Sequence, residues 1–172
     1  MRNVAILFVL LLSACGSTQH IELTNGVLRT PERITEAWAN EAIALIERGE
    51  VQTISCDTMG GDAVGSIKVA DALLRSTYPI EIGVPWGRHC NSGGALLWFA
   101  SPYKTATGTV ALHIAGNPRT KLQNKELSIE EAKILARAGV GVSLQQKVLI
   151  GTWDKPYALN QEEASRYFKS PP

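Results

Sequence analysis

The chain has 172 residues, 45% hydrophobic and 19% charged, with 17 basic and 16 acidic side chains and a net charge of +1. With no basic excess and no basic run it lacks the phosphate-neutralising surface that dominates nucleic-acid binding, so no partner of that class is expected. The length suits one domain with its own core.

Arg2 opens the chain, residues 4–12 form an unbroken apolar run, and Ser13 and Ala14 supply small side chains before Cys15. Such a run falls short of the ~20 residues needed to cross a ~30 Å hydrocarbon core, so it reads as a cleaved export signal. Leu12-Ser13-Ala14-Cys15-Gly16 resembles the lipobox of bacterial lipoproteins. The resemblance implies a signal peptide over 1–14, an acylated Cys15 as the first mature residue, a lipidated tether over 15–19 and a single domain over 20–172. It also implies more than one acyl chain, since each buried CH₂ contributes only ~0.8 kcal/mol. Gly16 is not the acidic residue that favours inner-membrane retention, so the expected location is the outer membrane, facing the periplasm. Loss of Arg2 on cleavage leaves basic and acidic residues balanced at 16 each.

Beyond the tether, residues 20–23 and 27–29 flank the turn pair Asn25-Gly26 and suggest a hairpin or a bent strand. Thr30 can cap a helix with Pro31 at its first position; Ile34, Trp38, Ala42 and Leu45 share one face, and Gly49 ends it. A strand is expected over 51–56, broken at Met59-Gly60-Gly61. Asp62 then caps a helix that buries Ala63, Ile67, Ala70 and Leu74, and Pro79 bars its continuation. Residues 80–84 have strand character, 85–91 read as a loop, 92–100 as a very apolar helix and 109–113 as another strand. The segment 117–125 is polar and loop-like. Helices over 128–138 and 141–150 are separated by Gly139, and a last one, over 160–168, is capped by Asn160 with Glu162 and Glu163 in its first turn.

This order predicts an α/β fold of βαβ units, a mainly parallel sheet flanked by helices. Functional loops in such sheets lie at the carboxyl ends of the strands, which brings Gly60-Gly61, residues 90–94 and His113 to one edge. Taken singly, a serine at a helix start is usually a cap, and a histidine ending an apolar strand is usually a satisfied core residue. Their shared edge is what makes them a candidate site. Cys56 and Cys90 are the two cysteines beyond the anchor; an exported compartment lets them oxidise, and a disulfide or two buried free thiols are both open.

Ile54-Ser55-Cys56-Asp57-Thr58-Met59-Gly60-Gly61-Asp62, then Ser92-Gly93-Gly94-Ala95-Leu96-Leu97, then Val110-Ala111-Leu112-His113 resemble the Clp protease proteolytic subunit and its relatives in the ClpP/crotonase superfamily. The likeness covers roughly residues 33–116, with a weaker echo at Glu163-Ala164. It implies a ClpP/crotonase-like βαβ superhelix, Ser92 as nucleophile, His113 as base, and Gly61 and Gly93 N–H groups as oxyanion donors. It implies an orienting acid as well, with Asp154 the nearest candidate before the last helix. Subunits of the superfamily tend to pack into rings, so a homo-oligomer is an open expectation. No Gly-x4-Gly-Lys-Ser/Thr stretch occurs, and neither an ATPase partner nor a cofactor is expected.

The expected activity is therefore an ATP-independent, peptidase-like serine hydrolase acting on a peptide or protein of the envelope. The competing expectation is a silent ClpP-fold lipoprotein used for binding or assembly. An acyl-CoA enzyme of crotonase type is disfavoured by export and by the lack of a basic cluster for CoA phosphates. A metal site from Cys56, His89, Cys90 and His113 lacks the paired spacing of zinc ligands, and no metal is expected.

Overall fold

The computed structural model describes residues 21–116, 123–152 and 155–169. Cys15, the export signal and the tether fall outside the described residues, as do Asp154 and residues 117–122 of the polar loop.

Asn25 and Gly26 both adopt positive φ, 50° and 77°, the pairing that a two-residue turn between twisted strands requires. The turn joins β1 (Glu22–Thr24) to β2 (Val27–Arg29) as an antiparallel hairpin. Strands β3 (Thr53–Ser55) and β4 (Glu81–Val84) then add parallel to β2. Two short strands sit where sequence patterning suggests none: β5 (His89–Asn91), inside the expected loop, and β6 (Tyr103–Ala106). Strand β6 completes a five-stranded sheet of order β1-β2-β3-β4-β6, while β5 pairs parallel with β7 (Thr109–Leu112) in a second sheet. Leu28, Ile54 and Ile82 stand in register across the first sheet and are fully buried.

Lys104 holds the same row on β6, and its amine reaches inward to donate to the Phe99 carbonyl at 2.8 Å. Burial, with repulsion from Lys169 behind it, lowers this amine to about 8. An inward charge on an outer strand also discourages further strand addition.

Helix α1 (Glu36–Glu47) is capped by Thr35, which accepts from Trp38 N–H at 3.2 Å. The expected start at Thr30-Pro31 is corrected by the sheet. Thr30 N–H donates to Ser55 O at 3.1 Å and Ile34 pairs with Gly61, so the chain stays committed to strand-like bonding before Thr35. Asp62 caps α2 (Ala63–Arg75) through Gly65 N–H. Helix α3 (Gly93–Ala100) buries all eight residues, as a helix apolar all round must. It packs against α2, which lies between it and α1, and against α4 (Lys125–Arg137). Helix α5 (Val142–Ile150), β8 (Tyr157–Ala158) and α6 (Gln161–Ser165) follow, with β8 antiparallel to β7. Asn160 and Glu163 close a reciprocal capping box on α6, one turn shorter than the sequence pattern suggests.

Thr58 joins the two sheets: its N–H donates to His89 O at 2.7 Å and its carbonyl accepts from Asn91 N–H at 3.0 Å. Beside it Cys56 and Cys90, 34 positions apart in sequence, form a disulfide with Cα atoms 5.5 Å apart. On chain-entropy grounds a loop of that length is worth roughly 4 kcal/mol.

Candidate active site

The chain leaves β5 at Asn91 and enters α3 at Gly93, so Ser92 alone makes the junction. It does so at φ 51°, ψ −120°, a conformation that residues with a Cβ rarely adopt and that costs on the order of 1–3 kcal/mol. Surrounding bonds enforce it. Ser92 N–H donates to Ala111 O on β7 at 2.8 Å, and Leu96 N–H donates to Ser92 O at 3.1 Å. A sharp strand–turn–helix of this kind lifts a hydroxyl clear of both elements, the geometry of a nucleophile elbow. The half-buried Ser92 side chain makes no capping bond to α3 and has no hydrogen-bond partner among the described residues, so it is not a cap.

Three glycines let the neighbouring backbones close in on this junction. A Cβ on Gly60 would lie 2.5 Å from Ser92 Cβ, one on Gly93 would lie 2.1 Å from Ser66 Oγ of α2, and one on Gly94 would lie 2.3 Å from Thr58 Cγ2. The Gly60-Gly61 loop therefore abuts Ser92 directly. Ile34 takes the bonds on one side of that loop, donating to Gly60 O at 2.7 Å and accepting from Asp62 N–H at 2.8 Å. In such a parallel bridge the N–H of Gly61 faces the other way, and among the described residues it has no acceptor. Gly93 N–H, the first of α3, has none either, and the helix dipole adds positive character there.

His113 follows β7. Asn91 and Ala111 are register partners, so Ser92 and His113 leave adjacent parallel strands at the same end. The imidazole is buried, and its Nδ1 lies 2.8 Å from Ile114 O. A carbonyl can only accept, so Nδ1 is the donor of this bond, and Nε2 is the ring nitrogen left to exchange a proton with another group. The Ser92 hydroxyl and the His113 ring are not hydrogen-bonded to each other in this structure.

One functional candidate escapes the sequence motifs. Glu131 of α4 is only 7% exposed, and its Oε2 accepts from Ala115 N–H at 2.8 Å, two residues past His113. Burial raises this carboxyl to about 7, against the opposing pull of the Ala115 bond. The signal was available: Leu127, Glu131, Ile134 and Leu135 recur at helical spacing, and an acid on an apolar stripe is unusual.

The His89, Cys90, Cys56 and His113 set is left without thiolates, because the disulfide takes both sulfurs. A polar cavity of about 470 Å³ opens at the same end of the first sheet, bordered by the Arg29–Glu22 and Arg88–Asp57 ion pairs and by Met59. Ser92 and His113 are not in its lining.

No protein-family model and no curated protein matches this chain. Solved structures do. A mutant of the 1510-N membrane-bound stomatin-specific protease superposes with a TM-score of 0.60 at 18% identity, covering 82% of this chain and 74% of its own. A second mutant of that protease, in complex with a substrate peptide, gives the same score and identity over 70% of its length. A mutant of ClpP1 from Listeria monocytogenes matches with a TM-score of 0.61 at 16% identity, over 83% of this chain and 87% of that one. The chain thus has the ClpP/crotonase fold, an α/β architecture with mostly parallel sheets flanked by helices, and is similar in structure to ClpP-fold serine proteases.

Two stability effects follow from these environments. Ser92→Gly should stabilise the protein by about 1 kcal/mol, because relief of ~1–3 kcal/mol of backbone strain exceeds the ~0.5–1 kcal/mol entropic cost of glycine. Ser92→Ala keeps the Cβ and the strain, so denaturant unfolding that ranks the two variants equal would refute a strained junction. Glu131 holds its proton more tightly folded than unfolded, so the folded state binds more protons between pH 4.5 and about 7. Stability should therefore fall as pH rises through that window, by up to ~3 kcal/mol, and level off above it. Urea titrations of the natural chain and Glu131→Gln read this directly; equal pH slopes for the two would exclude the shift.

Proposed function

We propose that this chain is a lipid-anchored hydrolase of the cell envelope that cleaves peptide bonds through Ser92 without ATP. The observation that carries the reading is the Ser92 junction, a strained, uncapped serine at the start of a buried helix with a Gly-Gly loop against it. Strain held in place by surrounding bonds is a reason to look for function, and a serine so placed is presented for attack.

In this reading Ser92 Oγ attacks the substrate carbonyl while His113 Nε2 takes its proton. The developing oxyanion is held by the N–H groups of Gly61 and Gly93, donors whose individual loss typically costs ~3 kcal/mol in acyl transfer. The tetrahedral intermediate collapses to an acyl-serine, and the leaving amine departs with the proton from His113. Water, deprotonated by the same imidazole, then releases the acid and restores Ser92. Asp154 is the acid that the family likeness implies for Nδ1; among the described residues Nδ1 has a backbone carbonyl as its partner instead.

A peptide substrate is supported by the fold and by the peptide that the stomatin-specific protease holds. The polar cavity beside the Gly-Gly loop offers room for substrate residues on one side of the scissile bond. Export is supported by the lipobox-like residues ending in Cys15 and by the Cys56–Cys90 disulfide, since such bonds persist in oxidising compartments. An outer-membrane anchor facing the periplasm fits Gly16 after the lipidated cysteine.

A ClpP-fold lipoprotein that binds without turnover is the second reading. It is favoured by one observation, the lack of a hydrogen bond between Ser92 and His113. A fluorophosphonate probe decides between them. The membrane fraction should label at the mass of this chain, Ser92→Ala should abolish the signal, and His113→Ala should slow it at least about a hundredfold. Cys15→Ser should leave labelling intact and move the protein to the soluble fraction. Absence of labelling in the natural chain from pH 5 to 9 would overturn the hydrolase in favour of the binding protein.

A further inference from the structure

Nδ1 of His113 donates to the carbonyl of Ile114, and Oε2 of Glu131 accepts from the N–H of Ala115, each at 2.8 Å. That carbonyl and that N–H belong to one peptide unit. All peptide bonds described are trans, so the two groups point in opposite directions across the same amide plane. The imidazole and the carboxyl therefore sit at opposite ends of a continuous chain of two hydrogen bonds and one conjugated amide.

We propose that Glu131 is the positioning acid of this site, acting on His113 through the Ile114–Ala115 peptide rather than by direct contact. The proposal rests on the reading of Ser92 and His113 as nucleophile and base, and gives that pair the acid it otherwise lacks among the described residues. A carboxylate on the N–H draws the amide toward its charge-separated form and places more negative charge on the carbonyl oxygen. That strengthens the bond to Nδ1–H and stabilises the imidazolium that forms when Nε2 takes the serine proton.

The surroundings keep this link in register. Asn124, the cap of α4, donates its N–H to Ala115 O at 2.9 Å, and Gly116 pairs with Gln123, so the peptide that follows Ala115 is tied to the start of α4. Competing charges lie elsewhere. Helix α3 carries no titratable side chain. On α2, Asp71 is engaged by Arg75 and Arg137 at the surface and Lys68 is exposed; on α5, Lys147 is bound to Glu163. His113 is the nearest titratable neighbour along the link. Burial of Glu131 moves its ionisation into the neutral range, so the relay is on above about pH 7 and off below it.

Glu131→Gln separates a structural clamp from a charge relay, because the amide oxygen can still accept from Ala115 N–H but carries no charge. With circular dichroism unchanged, fluorophosphonate labelling at pH 8 should slow on the order of ten- to hundredfold, the worth of one charge-assisted bond. The acid limb of its pH profile should become shallower, since one protonation is removed. Unchanged rate and limb in a folded Glu131→Gln would overturn the relay.

A second measurement depends neither on turnover nor on the variant's folding. In ¹⁵N-labelled natural protein, which has only three histidines, the Ala115 amide resonance should shift as Glu131 ionises near pH 7, and the His113 Nδ1 resonance should respond to that ionisation. An Ala115 amide that titrates there while His113 Nδ1 does not follow would refute the proposal, even in a protein that labels well. Conversely, joint titration in a protein that never labels would uphold the link and dismiss the hydrolase.

Discussion

The structure depends on the contact between the loop at Thr58 to Gly61, the Ser92 junction and α2, where backbones meet closer than side chains allow. Gly60 lies against Ser92, Gly93 against Ser66, and Gly94 against Thr58 and the disulfide sulfurs. A methyl group at any of the three would push two elements apart. Because Ser66 and Thr58 are fully buried, neither can swing away to make room. Tight seating of α3 is what leaves Ser92 a single route from strand to helix, and that route has positive φ. Strain at Ser92 is thus a consequence of packing two residues away, offset by the burial of a whole apolar helix. Leu96, Leu97, Trp98 and Phe99 each remove a large side chain from water, worth ~1.5–3 kcal/mol apiece, which exceeds the strain several times over.

The disulfide acts at the same place. The three-residue strand β5 has β7 on one side and only Thr58 on the other, and it comes from a segment with no alternating pattern. Tying Cys90 to Cys56 at the end of β3 fixes this weak strand to the five-stranded sheet and brings the Gly60-Gly61 loop with it. At the far end of α3 a different device does the anchoring. The Lys104 amine bonds the Phe99 carbonyl where the helix dipole is negative, and although burial disfavours its charge, the bond holds the helix against the outer strand β6. One helix is therefore clamped at its start by glycines and sulfur and at its end by a buried cation.

How much of this was legible in the sequence depended on whether the signal was local. Asn25-Gly26, the Asp62 cap and the capping box at Asn160 are short-range chemistry, and each lies where its residues suggest. The edge shared by Gly60-Gly61, Ser92 and His113 was legible because strand order alone brings strand ends together. Strands β5 and β6 were not, since they run only three and four residues and take their partners from distant segments. Thr30-Pro31 has the composition of a helix start, yet bonds with Ser55, Gly60 and Asp62 hold that stretch out of a helix until Thr35. Glu131 was visible as an acid on an apolar stripe, but only the fold shows that the stripe faces the peptide after His113.

That placement explains why a costly group is tolerated. A carboxyl on α4 is carried by a helix that packs against α2 and α3, and helix-borne groups are held more precisely than loop-borne ones. The same burial that holds it also raises its affinity for a proton, so ionising it works against the fold over the range in which the proposed relay would draw on the charge. Under the proposed relay, stability and reactivity are linked through one proton: the protonated protein is the more stable and the ionised one has the better base. A chain held by a disulfide and a fully buried central helix can bear that loss, and a site built on strain at Ser92 and charge at Glu131 draws on that reserve twice.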